Sequence, residues 1–193
     1  MIYKSQTLEP ITAQMNFIFR ARMLFRDLAL WLRSYKVSLF SGFGNLDETS
    51  RRLFRIPLEY GSILKLFFGE QDTEQLIYLL TQYISTLQSL FRAQYNNDVE
   101  QINSLTQQVY QNVNDTAAFL AILNPYWSQS YWVSLLNSFT ISQINEATTF
   151  LIQEHSINID IFDRIISLSN IIGDYFAEGL TNYFFLTQQP QET

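Results

Sequence analysis

The sequence predicts an all-α fold, a single-domain antiparallel bundle of about six or seven helices. The chain has 193 residues, 47% of them hydrophobic, which suits one large core. Its six glycines and four prolines mostly fall between periodic segments, and no stretch alternates apolar and polar residues long enough to predict a sheet. We assign residues 11–187 to the bundle, residues 1–10 to an N-terminal segment and residues 188–193 to a flexible polar tail.

The first helix is predicted over Ile11–Phe40, because apolar residues recur there at spacings of three and four. The turn Ser41-Gly42-Phe43-Gly44 ends it. The apolar face consists of Phe17, Ala21, Leu24, Leu28, Trp31, Tyr35 and Leu39.

The second helix is predicted over Asp47–Phe68, with Pro57 expected to kink or split it and Gly69 expected to end it. Asp72 or Thr73 then caps a third helix that reaches about Tyr95.

A turn at Asn96-Asn97-Asp98 caps the fourth helix, which ends at Leu123 before a structural turn. That turn consists of Asn124, Pro125, Tyr126 and Trp127. Together with Tyr131 and Trp132, its aromatic residues either line a ligand pocket or anchor the packing of helices, and packing is the more usual role.

Three more helices complete the bundle: Ser128–Phe139, one capped by Thr140 or Ser142 that reaches about His155, and Asn158–Leu186. Leu28, Tyr83 and Phe139 occupy equivalent points of three helices, a weak indication of three helical hairpins of similar plan.

Composition excludes several classes of function. A net charge of −6 and a pI near 4.7 argue against a nucleic-acid partner, which requires a basic surface. The absence of cysteine excludes disulfides, thiol nucleophiles and thiolate metal sites. His155, the single histidine, is expected to have a structural or solvent role at a helix C-terminus. No nucleotide-binding or nucleophile motif occurs, so we predict no catalytic residue, no metal ligand and no cofactor.

No segment of the sequence predicts a membrane partner. The beginning of the chain lacks the apolar core of a signal peptide, and the uncharged window Thr116–Asn145 is broken by Asn124-Pro125 and rich in polar residues. We therefore expect a soluble, cytoplasmic protein.

Charge is unevenly distributed along the chain. Residues 1–55 hold nine basic and four acidic residues, a net of +5, and residues 56–193 hold three and fourteen, a net of −11. The first segment either packs against the rest of its own chain or contacts another copy head to tail. Because 17 Gln and 13 Asn equal the 30 charged residues in number, the surface carries little charge repulsion to keep copies apart.

Two charged stripes are candidate functional surfaces. At about 100° per residue, four carboxylates of the last helix and three arginines of the first helix each share one face. They form a solvated or ion-paired face, a surface for a partner or a second copy, or a carboxylate site for a metal or acid–base chemistry. The residues are Arg22, Arg26 and Arg33 on the first helix, and Asp160, Asp163, Asp174 and Glu178 on the last.

Three segments resemble an all-helical bacterial family that often carries the label acetylglutamate kinase, with a resemblance that covers about residues 20–187. The segments are Leu46–Arg55 with Phe67-Phe68-Gly69, then Asn112–Asp115 leading into Phe119–Trp127, and Asp160–Asp163 followed by Asp174 and Gly179. The resemblance implies a histidine in three helices of relatives, and Leu28, Tyr83 and Phe139 stand at the matching positions here. A kinase of that label is an α/β protein with glycine-rich phosphate loops, and this sequence predicts neither strands nor such loops.

We predict a non-enzymatic interaction or structural protein that forms a homo-oligomer or binds a helical protein partner. The alternative is a divergent ferritin-like metal-carboxylate protein that uses Asp160, Asp163 and Asp174.

Overall fold

A computed structural model describes residues 15–16 and 18–187 of the chain. Every regular element in this part is a helix, and the helices pack on one another, so the predicted all-α bundle is confirmed. The predicted N-terminal segment 1–10, the tail 188–193, the helix start at Ile11 and the core position Phe17 lie outside the described residues.

Within the described residues, five helices of 18 residues or more and one of eight form the bundle. Helices α3 with α4, and α5 with α6, form the most extensive pairings, while α1 packs against α2, α3, α5 and α6. None of the helices seen there combines the length and apolarity needed to cross a bilayer. The helices are α1 Leu24–Ser41, α2 Leu46–Leu53, α3 Arg55–Tyr95, α4 Val99–Leu123, α5 Gln129–Leu151 and α6 His155–Thr187.

Helix α3 is bent sharply at Gly69, whose φ of 78° and ψ of −174° are non-helical and suit only glycine. In a straight helix Gly61 and Ile77 would lie about 24 Å apart. Instead, a Cβ added at Gly61 would lie 2.4 Å from Cδ1 of Ile77, so the chain folds back on itself. The predicted break at Gly69 is confirmed, and it gives α3 two arms, 55–68 and 70–95. The second arm starts before the predicted cap at Asp72 or Thr73, and Thr73 donates a hydrogen bond to the Gly69 carbonyl at 2.6 Å.

Two predicted boundaries in the first half shift by a few residues. The helical residues 18–22 are separated from α1 by a turn at Met23, where Arg22 packs against Gly173 of α6, so the predicted first helix is interrupted. The second predicted helix splits at Phe54 rather than at Pro57. Pro57 lies in the first turn of α3, where its missing N–H would have no partner within the helix.

The predicted break before Thr140 is wrong, because α5 is continuous from Gln129 to Leu151. The hydroxyls of Thr140 and Ser142 each donate a hydrogen bond to the carbonyl four residues earlier, at 2.8 Å. Because their hydroxyls are satisfied in this way, the two residues remain inside a helix instead of capping one. The chain then turns at Gln153, whose φ is 57°, and exposed His155 begins α6 rather than ending the preceding helix.

Several predicted helix ends are confirmed. Asp98 accepts from the backbone N–H of Gln101 at 3.1 Å, and Ser128 accepts from that of Tyr131 at 3.4 Å. Gly42 ends α1 in the left-handed conformation at φ 65°.

The three positions that the resemblance predicts to match histidines are all in the core: Leu28 is 1%, Tyr83 6% and Phe139 0% exposed. The Tyr83 hydroxyl shares a 2.8 Å hydrogen bond with that of Thr140, which links α3 to α5. These positions therefore contribute to packing between helices.

Alkaline pH is expected to destabilise the fold through Tyr83, because burial raises the pKa of its phenol. Above about pH 10 the unfolded chain loses the phenol proton while the folded chain retains it. The free energy of unfolding should then fall as pH rises further. Urea unfolding at several pH values around 10 should show this fall, and Tyr83→Phe should make it shallower. The exposed Tyr78→Phe is the control, and an unchanged pH dependence in Tyr83→Phe would contradict the assignment.

Candidate functional site

A buried ion pair joins α1 to α5. Lys36 Nζ donates a hydrogen bond to Glu146 Oε2, and the two side chains are 0% and 1% exposed. Arg33, one turn earlier on α1, donates from Nη1 to Glu146 Oε1 and is 24% exposed. Two cations thus share one carboxylate. Because removing charges from water is costly, this arrangement depends on each of its hydrogen bonds.

Neutral groups complete the surroundings of the ion pair. Gln143 Oε1 accepts from Lys36 Nζ at 2.6 Å, and the ring of Phe91 lies 5.1 Å from that nitrogen. Asn158 Nδ2 donates to the backbone oxygen of Glu146 at 3.3 Å and to Thr149 Oγ1 at 2.8 Å. Asn158 was predicted to begin the last helix, and the structure places it one turn inside α6, where it ties α6 to α5.

Burial lowers the pKa of Lys36, although Glu146 opposes this shift. A lysine with a lowered pKa can act as a nucleophile or base where a substrate reaches it. Lys36 has no exposed surface, so a substrate cannot reach its amine in this conformation. The ion pair therefore positions α1 against α5.

The three arginines of the predicted basic stripe contact three different partners. Arg22 pairs with Asp174 of α6 in an ion pair whose side chains are 43% and 58% exposed. The hydrogen bond that Arg22 Nε donates to Asp174, together with the charge of that carboxylate, raises the pKa of Arg22. Arg26 Nη1 donates to Asn170 Oδ1 at 3.2 Å, and Arg33 contacts Glu146 rather than the acidic stripe. One of the predicted pairs between the first and last helices is therefore formed.

The other carboxylates of the predicted acidic stripe face solvent. Asp160, Asp163 and Glu178 are exposed and form no ion pair within the described part of the chain. No group of three or more potential metal ligands is brought together among the described residues.

The aromatic turn is an anchor for packing. Trp127 is 3% exposed and stacks on Phe176 with ring centroids 5.0 Å apart. Asn124 Nδ2 donates to the carbonyl of Gly179 at 2.9 Å. A Cβ added at Gly179 would lie 1.8 Å from Trp127 Nε1, so only glycine allows this close approach. Of the other residues proposed for this region, Trp132 is 0% exposed, while Tyr126 and Tyr131 are partly exposed and Pro125 lies in the turn.

A surface depression, here termed the Trp31 groove, lies between α1, α6 and the turn that joins α1 to α2. Its volume is about 440 Å³. Phe43 is 77% exposed and Leu30 44% exposed, which leaves a patch of apolar surface in contact with water. The lining includes Leu30, Trp31, Val37, Phe43, Thr49 and Phe162.

A second depression of about 350 Å³ shares Trp31 and Thr49 with the groove. Its lining, here termed the basic rim, contains Arg51, Arg52 and Arg55 with a single carboxylate, Glu48. Arg52 lies 4.9 Å from the ring of Trp31 and 3.1 Å from Glu59 Oε2, and Arg51 lies 3.0 Å from Glu48 Oε1. Arg55 is exposed and forms no ion pair with the residues that the structure describes. The basic rim therefore retains a net positive charge beside an apolar groove.

Sequence reasoning missed the ion pair of Lys36 and Glu146 and the Trp31 groove. Lys36 directly follows the core position Tyr35 and stands four residues after buried Leu32, which puts it on the apolar side of its helix. Glu146 is the only charged residue between Asp115 and Glu154. The available signals were a lysine on the apolar side of its helix and a single glutamate in a long uncharged stretch. The groove depends on a tertiary contact between α1 and Phe162, for which the sequence carried no signal.

Comparison with protein-family models found no match, and comparisons with curated proteins and with solved structures found none either. The resemblance to the all-helical bacterial family therefore stays a prediction.

Proposed function

We propose that this chain is a non-enzymatic helical interaction protein that associates with a second copy of itself through the Trp31 groove. The observation that carries the proposal is the exposure of Phe43 beside Leu30 and half-buried Trp31. Covering such apolar surface releases water and favours association. The uneven charge of the chain supports a partner of the same sequence, because the segment that forms the groove and basic rim is positive while the remainder is negative.

Phe43 projects from the turn between α1 and α2, where it is 77% exposed. Gly42 and Gly44 flank it at φ 65° and φ 87°, and Asn45 caps α2 by accepting hydrogen bonds from the N–H groups of Asp47 and Glu48. The cap fixes the start of α2 directly after the turn that carries the aromatic ring.

The alternative of a ferritin-like metal-carboxylate protein has no favouring observation. Asp160, Asp163 and Asp174 lie on the exposed side of a single helix, whereas metal sites of that kind draw ligands from facing helices.

Sedimentation velocity over a wide range of protein concentration tests the proposal. The average mass of the wild type should rise with concentration. Phe43→Ser should require at least about tenfold more protein to reach the same average mass, because serine lacks the apolar ring whose burial favours association and its own burial is unfavourable. Ile122→Ser is the matched control, because Ile122 is 84% exposed on α4 and does not line the groove. A wild type that stays monomeric at every concentration, or equal effects of the two substitutions, would reject the proposal.

A further inference from the structure

The outward side of α6 is an acidic face that also carries two exposed isoleucines. Counting about 100° per residue, the exposed residues Ile157, Asp160, Asp163, Ile171 and Glu178 lie within about 120° of one another. The two isoleucines are 47% and 46% exposed. Arg164 is the one unpaired cation in this face among the described residues, and Asp174 at its edge is paired with Arg22. This set of residues is here termed the acidic face.

The acidic face matches the Trp31 groove in chemistry. The groove offers apolar surface at Leu30 and Phe43, and the acidic face offers the exposed isoleucines. In the basic rim Arg51 and Arg52 are paired with Glu48 and Glu59 and Arg55 is unpaired, which leaves a positive charge, and the acidic face has an excess of carboxylates. Opposite charge beside exposed apolar surface on both partners favours recognition between two surfaces.

One molecule cannot join these two surfaces within itself. Phe162, which lines the groove, lies about 160° around α6 from Asp160. Because both belong to one rigid helix, the acidic face of a molecule points away from its own groove. Only another molecule can fill the groove with this face, and the contact then uses two different surfaces.

We infer that the acidic face of α6 in one copy occupies the Trp31 groove and basic rim of the next, so that copies assemble head to tail. This inference rests on the proposed function and names the surface that enters the groove. Because the two surfaces lie on opposite sides of α6, each added copy leaves one groove and one acidic face free. The assembly therefore grows beyond two chains as concentration rises, and added salt weakens it.

Charge reversal tests the pairing. A groove variant carries Arg51→Glu and Arg55→Glu, and a face variant carries Asp160→Arg and Asp163→Arg. Each variant alone should need at least about tenfold more protein than the wild type to reach the same average mass, because like charges then meet. An equimolar mixture of the two should associate again, and so should a chain that carries all four substitutions. Circular dichroism checks that each variant keeps its helical content.

A matched control separates the pairing from net charge. Glu74→Arg with Asp115→Arg changes the net charge as much as the face variant does, at exposed positions on α3 and α4. This control should associate like the wild type. If Phe43→Ser prevents association while the face variant associates normally, the proposed function stands and the head-to-tail pairing is rejected. Failure of the mixture and of the fourfold variant to associate, or an equal effect of the control, also rejects it.

Discussion

Replacing Glu146 by glutamine is expected to lower the free energy of unfolding by about 3–5 kcal/mol, the usual cost of breaking a buried ion pair by removing one partner. Glutamine leaves Lys36 and Arg33 close together without the carboxylate that both contact. Lys36 has no exposed surface, so water cannot replace the lost partner. Urea unfolding followed by circular dichroism measures the change.

Three further variants give this prediction its controls. Lys36→Met should cost less than Glu146→Gln, because Glu146 keeps its contact with partly exposed Arg33. The double variant should be more stable than Glu146→Gln alone, since neither buried charge remains. Lys65→Met breaks an exposed pair with Glu70 and should cost no more than about 1 kcal/mol. Equal losses for Lys65→Met and Glu146→Gln would show that the buried pair has no special role.

Gly179→Ala is expected to destabilise the protein by about 3 kcal/mol, near the upper end of the cost of overpacking a core. The added Cβ would lie 1.8 Å from Trp127 Nε1, and the indole cannot move aside because it stacks on Phe176. Any shift of the backbone also weakens the hydrogen bond that Gly179 accepts from Asn124. Thermal and urea unfolding should both report the loss.

Gly61→Ala is the matched control for this substitution. It adds the same methyl group to a helical glycine, but the nearest atom is Cδ1 at the flexible end of Ile77. Alanine also favours a helix by about 1 kcal/mol relative to glycine, so the net change should be below about 1 kcal/mol. Comparable losses at Gly61 and Gly179 would mean that the rigid indole is not the cause.

Local chemistry made much of the fold predictable from the sequence. The ends of helices at Gly42 and Asn124, the cap at Asp98 and the reversal at Gly69 follow from residues that favour those conformations. The break predicted before Thr140 was wrong because a threonine hydroxyl has two local hydrogen-bonding choices. It can accept from a backbone N–H as an N-cap, or donate to a carbonyl one turn earlier in its own helix, as Thr140 does. Tertiary contacts decide between the two.

The candidate site was predictable only in part. The three arginines were visible in the sequence, but Arg33 contacts buried Glu146 of α5 while Asp160, Asp163 and Glu178 face solvent, a tertiary arrangement that periodicity does not encode. The acidic residues were placed correctly on one face of the last helix, because that placement depends only on helical geometry. Whether they take part in association stays a prediction.

The contact between Arg22 and α6 has a consequence for the order of folding. Hairpins such as the two arms of α3 close small loops, whereas the pair Arg22–Asp174 joins residues 152 positions apart. Closing so long a loop costs more chain entropy than closing a hairpin, and the ion pair that accompanies it is exposed and weak. We therefore expect α1 and α6 to dock late, after the local hairpins have formed, with Gly173 giving the Arg22 carbonyl room to approach.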